Sequence, residues 1–181
     1  MAIESTVAEI ELASTDVALA RSGDEAAFTR LVATYHPDLV RMARVVCGDP
    51  DLASEAAQAA WAVAWHRLRD LRDASRLRPW LMTIAANEAR QLIRSQGRRH
   101  LREIALLDPT APAADIGVAA RIDLANALGT LDPRDRTLLG LRYLAGLDSS
   151  EIAREVGMSA TAVRSRMSRA LDRLRRELGN E

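Results

Sequence analysis

The sequence predicts an all-α protein of two small helical domains joined by a flexible linker, and three observations carry this. Apolar residues recur at helical spacing nearly everywhere, and no alternating strand pattern appears. Gly, Pro and capping residues punctuate that pattern at short intervals. One stretch, residues 100–120, loses it: "LLDPTAPAAD" has two prolines, Pro109 and Pro112, and mostly small residues. The 181 residues suit one domain or two small ones, and 48% hydrophobic content suffices for packed cores. The predicted layout is an extension over 1–15, a first module over 16–99, a linker over 100–120 and a second module over 121–181.

In chain order, Asp16 is placed to cap a short helix that Gly23 ends, and Asp24 to cap the next. That helix sets Phe28, Leu31, Val32 and Tyr35 on one face. Pro37 predicts a restart, followed by a stripe of Leu39, Val40, Ala43, Val46 and Cys47 that Gly48-Asp49-Pro50 stops. Residues 51–69 predict a long helix with one stripe of Leu52, Ala56, Ala59 and Val63 and an adjacent one of Trp61, Trp65 and Leu68. "RDLRDASRLR", from Arg69 to Arg78, reads as a short basic loop. Pro79 opens a further helix carrying Trp80, Leu81, Ile84, Ala85, Leu92 and Ile93, with a break at Gly97.

Beyond the linker, Ala125, Leu128 and Leu131 mark a short helix, and Asp132-Pro133 opens the next, which Gly146 ends. Ser149 or Ser150 is placed to cap "EIAREVG". Ser159 is placed to cap a last helix that reaches about Leu178. Ala153 is small where two helices would cross, and Gly157 stands where a tight turn needs a positive φ. Val163, Met167, Ala170, Leu171, Leu174 and Leu178 form the inner stripe of the last helix. Thr161, Ser165, Ser168 and Arg169 point the other way, flanked by Arg164 and Arg166. A helix-turn-helix with that outer face suits the major groove, where arginine pairs with guanine edges. The alternative is an ordinary helical hairpin with a solvated face, which fits Arg173, Arg175 and Arg176.

All 25 basic residues are arginine, whose planar fork grips phosphates and base edges better than an ammonium does. Net charge is zero, yet the blocks alternate. Residues 1–60 hold 4 Arg against 10 Asp/Glu, and residues 61–107 hold 10 against 4. Such alternation fits a protein that touches both nucleic acid and another protein. Cys47 stands alone and His36, His66 and His100 share no ligand spacing, so no disulfide, metal cluster or cofactor site is expected. No apolar run is long enough for a membrane span and no secretion signal opens the chain, which predicts a cytoplasmic protein.

Two segments together resemble a known family. "AFTRLVATYHPDLVRMARVVCGDPDLASEAAQAAWAVAWHRL" followed by "RLRPWLMTIAANEARQLIRS" looks like region 2 of an extracytoplasmic-function (ECF) sigma factor. "ANALGTLDPRDRTLLGLRYLAGLDSSEIAREVGMSATAVRSRMSRALDRLRREL" looks like region 4 of the same family. The resemblance implies a factor that binds core RNA polymerase and directs it to promoter DNA. Region 2 would recognise and open the minus-10 element, and region 4 would read the minus-35 element. It implies an anti-sigma factor as a further partner, with no small-molecule substrate and no catalysis by this chain.

The resemblance assigns residues. Asp51, Glu55, Gln58, Trp61 and Trp65 would face the polymerase, although each tryptophan equally suits the core. The family usually shows two acidic residues in a row before the glutamine and another just after it. This chain has Ser54-Glu55 before Gln58 and Ala59 after, which implies an altered clamp contact. Arg72, Arg76 and Arg78 would hold the phosphates of a separating strand. Trp80 would stack on a base or pack in the core, and Asn87 would pair with a base edge. Arg90, Arg94, Arg98 and Arg99 would continue the basic track, with a solvated face as the alternative. Ser159, Thr161, Arg164, Ser165, Arg166, Ser168 and Arg169 would meet the minus-35 element.

Two rivals were weighed. A stand-alone helix-turn-helix regulator with an N-terminal sensing or dimerisation domain would, as a response regulator, need strands that the sequence does not suggest. An enzyme would need a base–nucleophile pair or metal cluster, which one Cys and scattered His do not supply.

Overall fold

The computed structural model describes residues 14–100 and 116–179, with side chains for all of these except 97–100 and 116–122. A helix over 14–21 (α1) precedes α2 (Glu25–Cys47), α3 (Pro50–Arg67) and α4 (Leu77–His100). Then come α5 (Ile116–Gly129), α6 (Pro133–Tyr143), α7 (Ser149–Val156) and α8 (Ala160–Leu178). No strand occurs among the described residues.

Asp24 caps α2 by accepting from the Ala27 amide, and Gly48 ends it in the left-handed region at φ 80°. The restart expected at Pro37 does not occur, since α2 runs through it as one helix of 23 residues. Proline removes one hydrogen bond there. The buried residues on either side, Leu31 and Leu39, bury in one core, and that packing holds the two halves in line. Asp16 is not a cap. It lies inside α1 and forms an ion pair of 2.6 Å with Arg30 of α2.

Asp49 caps α3, and Pro50 occupies its first turn. The buried face of α3 is Ala53, Ala56, Ala57, Ala60, Trp61 and Ala64, so the inner stripe is turned from the expected Leu52–Ala59–Val63 line. Five alanines make this face narrow enough for α2 and α4 to pack closely on it, and alanine stabilises the helix at no side-chain entropy cost. The basic loop is more ordered than its composition suggests. Leu68–Asp70 and Ala74–Arg76 each form one 3-10 turn, and Asp73 caps the second through the amide and hydroxyl of Ser75. Helix α4 starts at Leu77, ahead of Pro79, and continues past Gly97 to His100. A glycine weakens a helix by about 1 kcal/mol but leaves its hydrogen bonds intact, so it need not end one. The linker's prolines, Pro109 and Pro112, fall outside the described residues. Residues 116–120, expected in the linker, are helical as the start of α5.

Two buried clusters result. One lies within the first module, among Leu31, Leu39, Ala57, Trp61, Leu68, Leu77 and Leu81. The other is shared by both modules, and runs from Met42, Val46, Met82 and Ala86 to Leu138, Leu141, Ile152 and Val163. The closest approach is Gly140 of α6. A Cβ built there would lie 2.6 Å from Met42 Sδ and 3.7 Å from Val45 Cγ1, both on α2. The sequence divides the chain into two modules, and the fold packs them on one another.

Candidate nucleic-acid and polymerase interface

Helix α7 begins with a capping box rather than a serine cap. Asp148 accepts from the amides of Ser150 and Glu151, and Glu151 accepts from the Asp148 amide at 2.8 Å. These hydrogen bonds hold both carboxyl groups below their ordinary pKa values, with the pairing to Arg76 adding to the effect on Glu151. The expected cap at Ser149 or Ser150 fails because Asp148 lies one residue earlier with a stronger acceptor. Gly157 makes the turn at φ 67°. Ser159 then caps α8 by accepting from the Ala162 amide at 3.1 Å. Ile152 and Val163 are fully buried between the two helices, each contributing roughly 1.5–3 kcal/mol by burial.

The outer face of α8 has the polarity expected of it. Thr161, Arg164, Ser165, Ser168 and Arg169 are exposed. Arg164 reaches only Thr161 Oγ1 (3.3 Å), and Arg169 only the Ser165 carbonyl (3.3 Å), one turn back on the same helix. Such contacts exchange easily for a base edge or phosphate. Arg166 differs. Its Nε donates to Asp135 Oδ1 at 2.7 Å, with Asp132 at 3.9 Å, and its side chain is 28% exposed. It braces α8 against the start of α6, so the structure removes it from the outward-facing set. Ser159 is engaged as a cap and shares the position without being a free hydroxyl.

In the first module, Asp51, Glu55 and Gln58 lie one or two turns apart on the exposed face of α3. The two tryptophans do not join them. Trp61 is 8% exposed, its indole donates to His36 Nδ1 at 3.3 Å, and Phe28 meets it edge-on at 5.5 Å. Trp65 is half-buried against the same phenyl ring at 4.8 Å. Both belong to the core side of α3, because the helix turns its alanine face and these rings the same way. Trp80 is half-buried against that cluster as well.

The basic track divides into exposed and engaged arginines. Arg72 and Arg94 are exposed. Arg76 forms an ion pair with Glu151 of α7. Arg78 donates to Asp38 at 2.6 Å and to the Leu144 carbonyl at 2.8 Å. Arg90 donates to Asn87 Oδ1, so both residues are partly committed to each other. Burial, followed by the neighbouring charges of Arg94 and Arg134, lowers the Arg90 pKa. Val63, Arg67, Asn87, Arg90 and Arg94 line one open groove of about 420 Å³. The side chains of Arg98 and Arg99 lie outside the described residues.

Sequence reasoning missed Arg136. It is 92% buried by side-chain neighbours from both modules, and its Nε has no hydrogen-bond partner. Its signal was faint, since it is one arginine inside a helix that also carries Arg134. Cys47 is half-buried as expected, and burial pushes its thiol up to about 11, leaving it protonated at neutral pH. Among the described residues no group of acidic, His or Cys side chains could hold a metal ion, and no helix is long and apolar enough to cross a membrane.

Comparison with known proteins gives the same two modules. The family model "Sigma-70 region 2" matches residues 31–99, and "Sigma-70, region 4" matches residues 121–174. The chain is 34% identical over 173 residues to RNA polymerase sigma factor NccH of Alcaligenes xylosoxydans xylosoxydans, covering 89% of this chain and 93% of that protein. It is 33% identical to RNA polymerase sigma factor CnrH of Cupriavidus metallidurans, over 87% of this chain and 89% of the relative. Among solved structures, CnrH in complex with the cytosolic domain of CnrY superposes with a TM-score of 0.66 at 29% identity, covering 94% of this chain and 99% of that one. The sigma factor RpoE in complex with the anti-sigma factor NepR from Bartonella quintana shares the fold at a TM-score of 0.66 and 24% identity, over 84% and 96% of the two chains. Two modules in the order of regions 2 and 4, matched in sequence and in fold, place this chain in the ECF group of the sigma-70 family, whose members direct RNA polymerase to promoters to initiate transcription.

Proposed function

We propose that this chain joins core RNA polymerase through the exposed acidic and amide face of α3 and grips a promoter at two points. Asp51, Glu55 and Gln58 form the polymerase-facing stripe, and Trp61 and Trp65 support it from behind by fixing α3 on Phe28. Residues 16–99 act as region 2. Arg72, Arg76, Arg78, Asn87, Arg90 and Arg94 serve the minus-10 element, with Arg98 and Arg99 extending the track. Residues 121–181 act as region 4, with Thr161, Arg164, Ser165, Ser168 and Arg169 at the minus-35 element and Ser159 setting the pitch of the helix as its cap. Arg166 is the brace that holds α8 in register. The polymerase supplies the chemistry, and this chain is not itself an enzyme. It works in the cytoplasm.

One observation supports this reading most. The exposed arginines of α8 and the groove between Arg67 and Arg94 lie on two separate modules, as a two-point grip requires. Because CnrH and RpoE are seen with CnrY and the anti-sigma factor NepR, an anti-sigma factor is the natural inhibitory partner here too. The test is reconstitution: the purified chain with core polymerase should start transcription from promoters found by mapping start sites after overexpression. Tight DNA binding without any complex with polymerase would instead favour a stand-alone regulator.

A further inference from the structure

The two modules meet at the residues that the minus-10 element would need. Arg76 is paired with Glu151 on the first helix of the helix-turn-helix, and Arg78 with the Leu144 carbonyl at the end of α6. Between these polar ties lies an apolar seat, where the bare backbone of Gly140 lets α6 settle on Met42 of α2. A chain in this arrangement holds its two DNA-facing modules in direct contact. Elements named for positions ~25 base pairs apart lie roughly 85 Å apart on a duplex with a rise of about 3.4 Å per base pair. The packed form therefore cannot read both at once.

We propose that this packed form is an intramolecular latch: region 4 covers the arginine loop of region 2 and must swing away before the chain can engage a promoter. The inference rests on the sigma-factor reading above. The latch uses Glu151 and the Leu144 carbonyl as stand-ins for the phosphate oxygens that Arg76 and Arg78 would otherwise meet. It competes for those arginines using the ligand chemistry of the DNA itself.

The interface is also built to release. Closing it leaves the Nε of Arg136 buried without a partner and the guanidinium largely desolvated, with no ion pair to compensate. It leaves Arg90 Nε in the same condition, within the field of Arg134 on the opposite module. Opening returns both cations to water. Apolar contact and two tethers favour the closed form while two stranded guanidinium groups oppose it, so a partner needs only a modest preference for the open form to shift the balance.

The test compares the full chain with a Gly140→Leu/Glu151→Gln double variant. Leucine at 140 projects towards α2, and it is a better helix former than glycine, so α6 itself should persist. Glutamine at 151 keeps the capping-box acceptor and removes the charge that holds Arg76. Small-angle X-ray scattering should give the native chain a radius of gyration within a few ångström of the roughly 16 Å expected for one compact body of this length. The variant should rise by about a quarter or more with unchanged helical circular dichroism, and should assemble with core polymerase about 3–10-fold faster. Glu151→Gln alone should give a smaller shift in the same direction and guards against misfolding of the double variant. A native chain that is already extended, or variants that open without assembling faster, would overturn the latch. Failure of every form to join polymerase would instead remove the sigma-factor reading on which the latch depends, and scattering would still report whether the chain is closed.

Discussion

Two sets of arginines on one chain are held in opposite ways. On α8, Arg164 and Arg169 touch only their own helix, within one turn. In the first module, Arg76 and Arg78 reach across to the other module, and Arg90 is half-buried beside Asn87. The residue type and the charge are the same. The difference is the neighbour: the outer face of α8 looks to solvent, whereas the arginine loop faces α6 and α7. A basic residue count therefore measures potential for phosphate contact, and the packing decides how much of it is available at a given moment.

The contrast can be broken most severely at the core beneath the helix-turn-helix. Ile152→Ala removes a side chain with no exposure and should destabilise the chain by about 2–5 kcal/mol, read by urea unfolding. An effect below about 1 kcal/mol would mean that α7 and α8 are less tightly joined than the geometry indicates. Next, Arg164→Ala or Arg169→Ala should weaken use of the minus-35 element by about 1–3 kcal/mol for each base-edge pair lost, roughly 5–150-fold in a promoter-binding assay. Polymerase binding and melting temperature should stay put. Arg166→Ala should behave differently and lower the melting temperature, because it breaks a brace between α6 and α8.

Arg136→Met is a smaller change with a less intuitive sign. A buried, unpaired guanidinium replaced by an apolar side chain of similar length should stabilise the chain by about 1 kcal/mol. A clear loss of stability would reveal a partner for Arg136 that the geometry does not show. The smallest effect is on pH. Asp148 and Glu151 have carboxyl groups whose folded pKa is lowered from the ordinary 3.8 and 4.5. Their contribution is therefore fully present above those values and is lost as pH falls through the lower folded values. The difference in melting temperature between the native chain and Asp148→Ala should shrink steadily on acidification below about pH 4. A difference that stays constant down to pH 2 would point to backbone conformation rather than the cap.

Much of this was legible in the residues. The capping aspartates Asp24, Asp49 and Asp132 precede the helices they start, and Gly48 and Gly157 end theirs with positive φ, because these are local requirements written into two or three neighbouring positions. The outer face of α8 was legible for the same reason, since helical periodicity alone sorts Arg164 and Arg169 from Val163 and Met167. Pro37 and Gly97 misled in the other direction. Each is a local breaker, and neither breaks its helix.

The sequence by itself determined that this chain is helical, that it carries a helix-turn-helix with an arginine face, and that it is built as two modules in a recognisable order. Those properties follow from spacing, capping and composition, which act over a few residues. Only the tertiary structure decided that Trp61 and Trp65 lie on the core side of α3, that Arg166 braces rather than reads, and that Arg76 and Arg78 are tied across to the second module. Each depends on which surface arrives opposite a side chain from some 25 to 75 residues away. Periodicity gives the direction in which a side chain leaves its helix, and only packing supplies what it meets there.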